Sequence, residues 1–333
     1  MTKLVLERLN ESLIHAMEMD ERIHLIGEDL LDPYGGAFKV TRGISSRFPG
    51  RVLTTPISEA AITGVATGMA LRGLRPVVEI MFGDFSTLIF DQIVNHAAKF
   101  SWVYDGHVSV PLVVRTPMGG RRGYGPTHSQ SLEKFFLGIP GIKVLSPNTL
   151  GDPGTLLENA IQDDGPVMFM EHKLLYPCRM LEEKFGDLAD ATVTKSREIF
   201  PTFTIGFSST PKVTLATFGY NFELTRQAVL EALYEREVFT EIILFSQLSP
   251  FDLDPLFQSL SRTQRLITVE EGTQNVGWGS EICTRALEQI EFPLKVKRIA
   301  SLNLPIANAR SLEEAILPSR QDIKQAIFEL AGE

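Results

Sequence analysis

The sequence has few of the residues that mark extracellular, metal-binding or nucleic-acid-binding proteins. Only two of its 333 residues are cysteines, Cys178 and Cys283, and their wide separation predicts neither a disulfide framework nor a zinc site. The formal net charge of −9 argues against nucleic acid and against an anionic membrane surface as partners. No apolar run is long enough to span a bilayer, and the N-terminus lacks the pattern of a secretory signal. We therefore expect a cytoplasmic setting.

Common motifs for phosphate binding and for serine activation are also missing. A P-loop requires Gly-Lys-Ser/Thr, which does not occur in the sequence. No G-x-G-x-x-G pattern opens a helix after the first strand, which argues against a nicotinamide-binding domain. No G-x-S-x-G elbow is present. A phosphorylated cofactor, if one binds here, must be held by another device.

The remaining pattern predicts an α/β protein with two doubly wound domains. The length favours two domains over one. Strand-like apolar runs alternate with helical segments, which is typical of a parallel sheet covered by helices on both faces. The alternation fails across residues 176–211, so we predict a first domain over 1–175, a linker over 176–211 and a smaller second domain over 212–333. Within the first domain we expect helices over residues 38–48, 85–100 and 131–137.

One acidic residue stands out in a helical segment that is otherwise small or apolar. Residues 58–71 (SEAAITGVATGMAL) predict a helix that is buried on most sides, and Glu59 is their only ionisable residue. In one interpretation Ser58 or Thr55 caps the helix, and Glu59 complements the positive end of its dipole. In the other, the buried acid is paired or used in chemistry. Position alone gives these two interpretations equal weight.

A glycine-rich loop, Gly119–Gly125, follows a predicted strand and leads to His128. Ligands of parallel α/β sheets bind beyond the carboxyl ends of strands, so His128 is well placed for proton transfer or for binding an anion. The alternative is a surface loop with a hydrogen-bonded histidine. Arg121 has either a substrate carboxylate or only solvent as its partner.

Two further places allow both a structural and a functional interpretation. Phe82 and Phe85 lie where a strand turns into a helix, so Phe85 either presents a flat face to a ring or belongs to the core. Glu270 and Glu271 end a strand in the second domain, where they form either part of a site or a polar turn.

Several of these segments together resemble one family. Thr55-Pro-Ile-Ser-Glu59, Leu74-Arg-Pro76 and His128-Ser-Gln130, with Gly64 and Gly68, resemble the pyrimidine-binding half of thiamine-diphosphate enzymes. The chain is most similar to the beta subunit of the decarboxylating component of 2-oxo acid dehydrogenase complexes of the pyruvate, branched-chain and acetoin types. Val269-Glu-Glu-Gly272 continues the match in the second domain, and the resemblance covers nearly the whole chain except the linker. It implies a transketolase-like pyrimidine-binding domain followed by a transketolase C-terminal-like domain.

The resemblance also implies roles for individual residues. Glu59 matches the carboxyl group that hydrogen-bonds the pyrimidine ring nitrogen and drives the cofactor into its reactive tautomer. Phe85 matches the aromatic residue that packs on the pyrimidine, and Ile57 lines the same pocket. His128 matches the active-site histidine near the substrate, with Phe82 and Arg121 as further residues close to it. A structural potassium ion is implied as well, held by main-chain carbonyls of Ala160, Ile161 and Asp163.

A missing motif implies a partner chain. Enzymes of this class bind the diphosphate and magnesium through Gly-Asp-Gly…Asn, which this sequence lacks. The family carries that motif on an alpha subunit, so the resemblance implies an α2β2 heterotetramer that is active only with its alpha partner. The implied activity is that of an oxidoreductase that acts on the oxo group of a 2-oxo acid. Its implied acceptor is a disulfide, namely the lipoyl group of an acyltransferase.

Departures from the family pattern keep other functions open. Residues 203–209 differ from the usual connection between the domains. Residues 303–308 also differ, in the domain that the family uses for subunit and core-enzyme contacts, so assembly onto a large complex is an open question. A thiamine-diphosphate-dependent carboligase or a stand-alone decarboxylase is the alternative enzyme. A scaffold subunit without catalysis is the alternative of another class.

Overall fold

The computed structural model describes residues 2–181 and 191–332. The chain forms two compact units, one of Met1–Gly119 with Phe135–Met180 and one of Gly120–Lys134 with Leu181–Glu333. Of the linker predicted over residues 176–211, residues 182–190 lie outside the described ranges.

The first unit alternates strands and helices along the described chain. Its strands are β1 (Ile23–Gly27), β2 (Val52–Thr54), β3 (Arg75–Glu79), β4 (Val113–Met118), β5 (Lys143–Leu145) and β6 (Val167–His172). Its helices are α1 (Val5–Met19), α2 (Ile44–Arg47), α3 (Glu59–Leu71), α4 (Ala98–Val103) and α5 (Pro153–Gln162).

The strands of the first unit are parallel and lie in the order β5-β6-β4-β3-β1-β2. All six residues of β4 and of β6 are buried, as expected for central strands with helices on both faces. The chain passes from β1 to β2 on one side and then to β3 on the other side of β1. This reversal opens a crevice beyond the carboxyl ends of β1 and β3, where doubly wound sheets bind ligands.

The helix predicted over residues 85–100 is divided into three forms. A 3-10 helix covers Gly83–Ile89, a π-helix covers Gln92–Ala97, and α4 follows directly. Gly83 lies so close to β4 that an added β-carbon would be 2.6 Å from Cβ of Met118, and a tight 3-10 turn suits this close approach. Hydrophobic periodicity did not distinguish these three forms.

Two other predicted helices are shorter than expected. Within residues 38–48 only α2 forms, because the carboxylate of Asp32 accepts hydrogen bonds from the amides of Gly43 and Ser46 at 2.6 and 2.9 Å. Gly43 has a φ of 86° and cannot continue a helix toward the N-terminus. Within residues 131–137 a single 3-10 turn, Glu133–Phe135, forms.

The second unit has its own sheet. The strands of this unit are β7 (Thr192–Lys195), β8 (Thr202–Gly206), β9 (Val213–Phe218), β10 (Thr240–Phe245), β11 (Gln247–Ser249), β12 (Arg265–Thr273) and β13 (Lys295–Ser301). The short β11 is not part of this sheet. Its helices are α6 (Asn221–Arg236), α7 (Asp254–Thr263), α8 (Trp278–Gln289), α9 (Arg310–Ile316) and α10 (Arg320–Ala331).

The order in this sheet is β13-β12-β9-β10-β8-β7. Strands β13, β12, β9 and β10 are parallel, whereas β8 is antiparallel to both β10 and β7. The β7–β8 hairpin falls within the predicted linker, so this part of the linker extends the second sheet. Both units are therefore parallel-rich α/β structures, as the sequence pattern predicts.

Candidate functional site

Two acidic side chains lie at the crevice of the first sheet. Glu28 directly follows β1, and Glu59 is the first residue of α3; they are 7% and 6% exposed. Burial raises the pKa of Glu28, and the negative charges of Glu59 and Asp29 raise it further. The Oε1 atom of Glu28 has no hydrogen-bond partner among the described residues. This edge of the sheet therefore holds two interacting buried acids, and the pKa of one of them is raised.

The predicted side-chain cap of the α3 N-terminus is absent, whereas Glu59 does lie in the first turn, where it can complement the dipole. Ser58 is the N-cap residue, but its side chain makes no capping hydrogen bond. The amide of Thr55 instead donates to the carbonyl of Gly27, at 3.0 Å. Within residues 2–181 and 191–332 the carboxyl of Glu59 makes no hydrogen bond. The described buried side-chain oxygens that lack a partner do not include those of Glu59, so its carboxyl stays accessible to a bound group that exchanges a hydrogen bond with it.

Aromatic rings line the beginning of the segment after β3. Phe82 and Phe85 are half-buried and meet edge to face with ring centroids 6.1 Å apart. Phe38 packs on Phe82 in the same manner at 5.6 Å, and Nζ of the buried Lys173 lies 5.4 Å from the centroid of Phe82. Ile57, between β2 and α3, is 81% exposed. The first unit thus combines two acids, an aromatic pair and an exposed aliphatic side chain.

His128 and Arg121 belong to the second unit, in the segment 120–134, here called the histidine segment. Oγ1 of Thr127 lies 3.0 Å from Nδ1 of His128, which is half-buried. This contact orients the imidazole ring. Structural and functional interpretations of His128 both fit an oriented, half-buried ring, and its role stays a prediction.

Carboxylates hold the start of the histidine segment in place. Oε1 of Glu271 accepts from the amide of Gly120 at 2.7 Å, and Oε1 of Glu313 accepts from the amide of Arg121 at 2.7 Å. The guanidinium of Arg121 donates to the carbonyl of Pro318 at 2.6 Å and lies 3.3 Å from Oε2 of Glu271. Arg121 is therefore already paired within its own unit. A contact between Arg121 and a substrate carboxylate stays a prediction.

Comparison with known proteins places the chain in a family. Residues 5–179 match the family described as "Transketolase, pyrimidine binding domain", and residues 208–323 match "Transketolase, C-terminal domain". The pyruvate dehydrogenase E1 component subunit beta-1 of Oryza sativa is 37% identical over 97% of this chain and 85% of its own length. The E1 component subunit beta of Rhizobium meliloti is 34% identical over 98% of this chain and 69% of its own length. The chain belongs to the E1 beta subunits of the 2-oxo acid dehydrogenases.

A solved structure shows the same fold. It is titled "Split gene transketolase, inactive beta4 tetramer" and matches with a TM-score of 0.76 over 98% of both chains, at 19% identity. This likeness confirms the two transketolase-like α/β units and, at such identity, nothing more.

The potassium position predicted from the resemblance is occupied by protein donors. Nη1 of Arg75 donates to the carbonyls of Ile161 and Asp163 at 2.9 and 3.0 Å, and the carbonyl of Ala160 accepts from the amide of Asp163 at 3.3 Å. A potassium ion here would share its ligands with a guanidinium, and its presence stays a prediction. In the described ranges no group of three or more His, Cys, Asp or Glu side chains is arranged to hold a metal ion. None of the helices there is both long and apolar enough to cross a membrane.

Sequence analysis missed a buried ion network at the carboxyl ends of the central strands. Arg115 of β4 donates to Glu171 of β6 and to Glu79 of β3, and the hydroxyl of Tyr176 donates to Glu171 at 2.6 Å. Burial lowers the pKa of Arg115, but the charges of Glu171 and Glu79 outweigh it and raise that pKa. Burial also raises the pKa of Glu79, opposed by Arg115. The available signal was a charged residue within each of three neighbouring strands that are otherwise rich in apolar residues: Glu79, Arg115 and Glu171.

Proposed function

We propose that the chain is the beta subunit of a thiamine-diphosphate-dependent enzyme that oxidatively decarboxylates a 2-oxo acid, with Glu59 acting on the pyrimidine of the cofactor. The observation that carries this proposal is the buried Glu59 carboxyl, which makes no hydrogen bond within the described residues. Glu59 lies at the switch point of a sheet in a family defined by pyrimidine binding.

The residues present fit this cofactor. Glu59 would hold a proton at the pyrimidine ring nitrogen, and its burial strengthens that hydrogen bond. Phe85 offers an aromatic face and Ile57 an exposed aliphatic one for the same ring. When bound, thiamine diphosphate supplies a nucleophilic carbon and an electron sink for loss of carbon dioxide. His128, oriented by Thr127, is the residue proposed to donate or accept a proton at the substrate.

A partner chain is proposed because α3 keeps an apolar face exposed. Val65 is 56% exposed. A β-carbon added to Gly64 would have only Cγ of Gln92 nearby, at 3.8 Å, and one added to Gly68 would have no atom within 4 Å. The two glycines therefore leave room on the outside of the helix. Exposed apolar surfaces of this kind mark protein interfaces. We assign the diphosphate, the magnesium and this contact to an alpha subunit in an α2β2 assembly.

Gly68→Leu tests the partner contact. The new side chain points into open space of this chain, so the subunit should fold while co-purification of the alpha subunit is lost. Thr284→Leu, on the exposed side of α8, is the matched control and should retain the partner. Undiminished assembly of Gly68→Leu would place the alpha contact elsewhere.

Pyruvate is the first substrate to test, since the relatives named above are pyruvate dehydrogenase components. Glu59→Gln, measured in the complex with its alpha partner, should lower decarboxylation about 10²–10⁴-fold while assembly persists. Glu21→Gln, an exposed acid of the same unit, is the control and should retain full activity. Turnover of Glu59→Gln within a few-fold of the unaltered complex would exclude the proposed role.

The acyl acceptor is proposed to be a lipoyl group on an acyltransferase. Product analysis with a lipoylated domain, an aldehyde or neither as acceptor separates this function from carboligation and from simple decarboxylation. Acyl-lipoyl product in the first reaction supports the dehydrogenase. Carbon–carbon bond formation with the aldehyde alone would favour the carboligase.

A further inference from the structure

Two acidic side chains are completely buried in the second unit, and neither takes part in the proposed chemistry. Glu133 lies at the end of the histidine segment and Glu270 lies on β12; both are 0% exposed. A methyl group placed on Gly272 would lie 3.0 Å from Oε1 of Glu133 and 3.4 Å from Oε2 of Glu270. The two carboxyl groups therefore face the same glycine.

Glu270 has a clear structural task. Its Oε2 accepts from the amide of Trp278 and its Oε1 from the amide of Gly279, both at 2.8 Å, so it caps the N-terminus of α8. Gly277 permits this approach, because a β-carbon there would be 2.5 Å from Oε1 of Glu270. Glu270 is thus held in one position by backbone donors.

Glu133 has no such donors. Neither of its carboxyl oxygens has a hydrogen-bond partner in the part of the chain that the structure describes. Ionised, it would be a buried charge facing a second acid, which is among the most costly arrangements in a protein. Burial and then the charge of Glu270 raise the pKa of Glu133 to about 8, although its own backbone amide and Lys134 oppose the shift.

The surrounding cations offset the burial of the pair only in part: Lys134 lowers the pKa of both acids and Arg298 that of Glu270, yet both pKa values stay raised. On β12, Glu271 adds a third acid, which is bonded to Gly120 and Ser131 and has the guanidinium of Arg121 3.3 Å from its Oε2. Nζ of Lys134 donates to Thr273 and to the carbonyl of Asn275, and Arg298 of β13 donates to the carbonyl of Gln274 and to Ser280. The remaining titratable neighbour is the buried thiol of Cys283 on α8, whose pKa burial raises to about 11.

A proton is therefore the simplest neutralising group. Side chains in the described ranges form no metal-binding cluster here. Burial also raises the pKa of Glu270, to about 7, against the opposing effect of the Gly279 and Trp278 amides. A neutral carboxylic acid supplies one O–H, which is what two facing carboxyl groups lack.

We propose that Glu133 carries a proton in the active protein, and that this neutral acid fastens the histidine segment to β12, which makes Glu133 a positioning residue for His128. The role of His128 rests on the proposed function, whereas the attachment of its segment does not. Loss of the proton places two negative charges against each other in a buried site, and the histidine segment then moves away from β12. Both the order of this segment and the turnover that depends on it decline in alkaline solution.

Hydrogen exchange of the assembled complex tests the attachment without relying on activity. After correction for intrinsic rates, a peptide covering residues 120–134 should lose protection at least about tenfold between about pH 6.5 and about pH 9. Glu133→Gln is neutral at every pH and should abolish this change, whereas Glu288→Gln, an exposed acid of the same unit, should retain it. A peptide from α10 is the internal reference.

A second variant and a kinetic measurement complete the test. Glu270→Gln removes a charge that raises the pKa of Glu133, so the midpoint of the exchange transition should fall. In the unaltered complex kcat/KM should decline roughly tenfold per pH unit above the midpoint, and Glu133→Gln should lose this alkaline limb. The proposal is overturned if protection of residues 120–134 is independent of pH, or if Glu133→Gln keeps the transition. If the complex shows no activity at all, this contradicts the proposed function only. The attachment of the histidine segment is then decided by the hydrogen-exchange result.

Discussion

The guanidinium of Arg115 holds the carboxylate of Glu171 in a two-point contact, with Nε to Oε1 at 2.7 Å and Nη2 to Oε2 at 2.8 Å. Both groups are buried, and Nη1 of Arg115 reaches Glu79 at 2.8 Å. This contact ties three parallel strands together at the edge of the sheet that carries the candidate site. Its stabilisation comes from a cation fixed between two acids that would otherwise repel each other in a dry place.

Arg115→Met should destabilise the first unit by about 3–5 kcal/mol, because it leaves Glu79 and Glu171 buried without their counter-charge. Urea denaturation followed by circular dichroism measures the change in midpoint. Arg310→Ala serves as the control, since Arg310 lies on the surface and pairs with Glu314 one helical turn away. An equal midpoint for the two variants would show that the buried network contributes no more than a surface pair.

Much of the fold was predictable from the alternation of apolar strands and helices. The central strands β4 and β6 are buried on both faces, and each begins with apolar residues, residues 113–114 and 167–170, as is typical of buried parallel strands. The irregular segment after β3 was not predictable, because 3-10, π and α turns share almost the same spacing of apolar residues. Its form depends on the close approach of Gly83 to Met118, a contact set by the order of the strands.

The candidate site was predictable in its residue types and only partly in its contacts. Glu59 stood out because an acid is rare in a helix of small apolar residues. Glu270 and Glu271 were noticed, but their roles depend on the amides of Gly279 and Gly120, the second of which lies 151 residues away in sequence. Glu133 gave no signal, since a glutamate beside a lysine in a short predicted helix is usually exposed. Burial at this level is a property of tertiary structure.

Gly119→Ala should lower the stability of the first unit by more than the backbone strain of replacing a glycine. The residue has a φ of 95°, and a β-carbon would lie 2.1 Å from Nε2 of His172, whose Nδ1 accepts from the amide of Leu174 at 3.1 Å. Gly50→Ala is the matched control, with a φ of 84° and no atom within 4 Å of the new carbon. The control should cost about 1–2 kcal/mol of backbone strain, and Gly119→Ala several kcal/mol more. Equal denaturation midpoints would show that His172 moves aside freely.

The stability of the second unit should decrease as the pH rises from weakly acidic to weakly alkaline values. Glu133 and Glu270 have folded-state pKa values of about 8 and about 7, raised by burial from 4.5. The folded protein therefore binds more protons than the unfolded chain between these values. This contribution is fully present below the unfolded pKa and is lost as the pH passes the folded pKa values.

Urea midpoints at about pH 5.5 and about pH 8.5 measure this dependence. Glu133→Gln should flatten it, because the carboxamide does not titrate. Glu288→Gln should leave it unchanged, since Glu288 is exposed. If the unaltered chain has a higher urea midpoint at the alkaline pH than at the acidic pH, the buried acids are not protonated as assigned.

Ile57→Ala should weaken cofactor binding without affecting folding. The side chain is 81% exposed in this chain, so its removal creates no cavity, and the denaturation midpoint should stay the same. If Ile57 packs on the pyrimidine ring, the lost apolar contact should raise the Kd for thiamine diphosphate about tenfold in the complex with the alpha partner. Calorimetric titration measures this change. Met19→Ala, an equally accessible apolar residue of the same unit at 73% exposure, should bind the cofactor as the unaltered complex does. An unchanged Kd for Ile57→Ala would remove this residue from the cofactor pocket and leave Glu59 and Phe85 as the contacts that the first unit contributes.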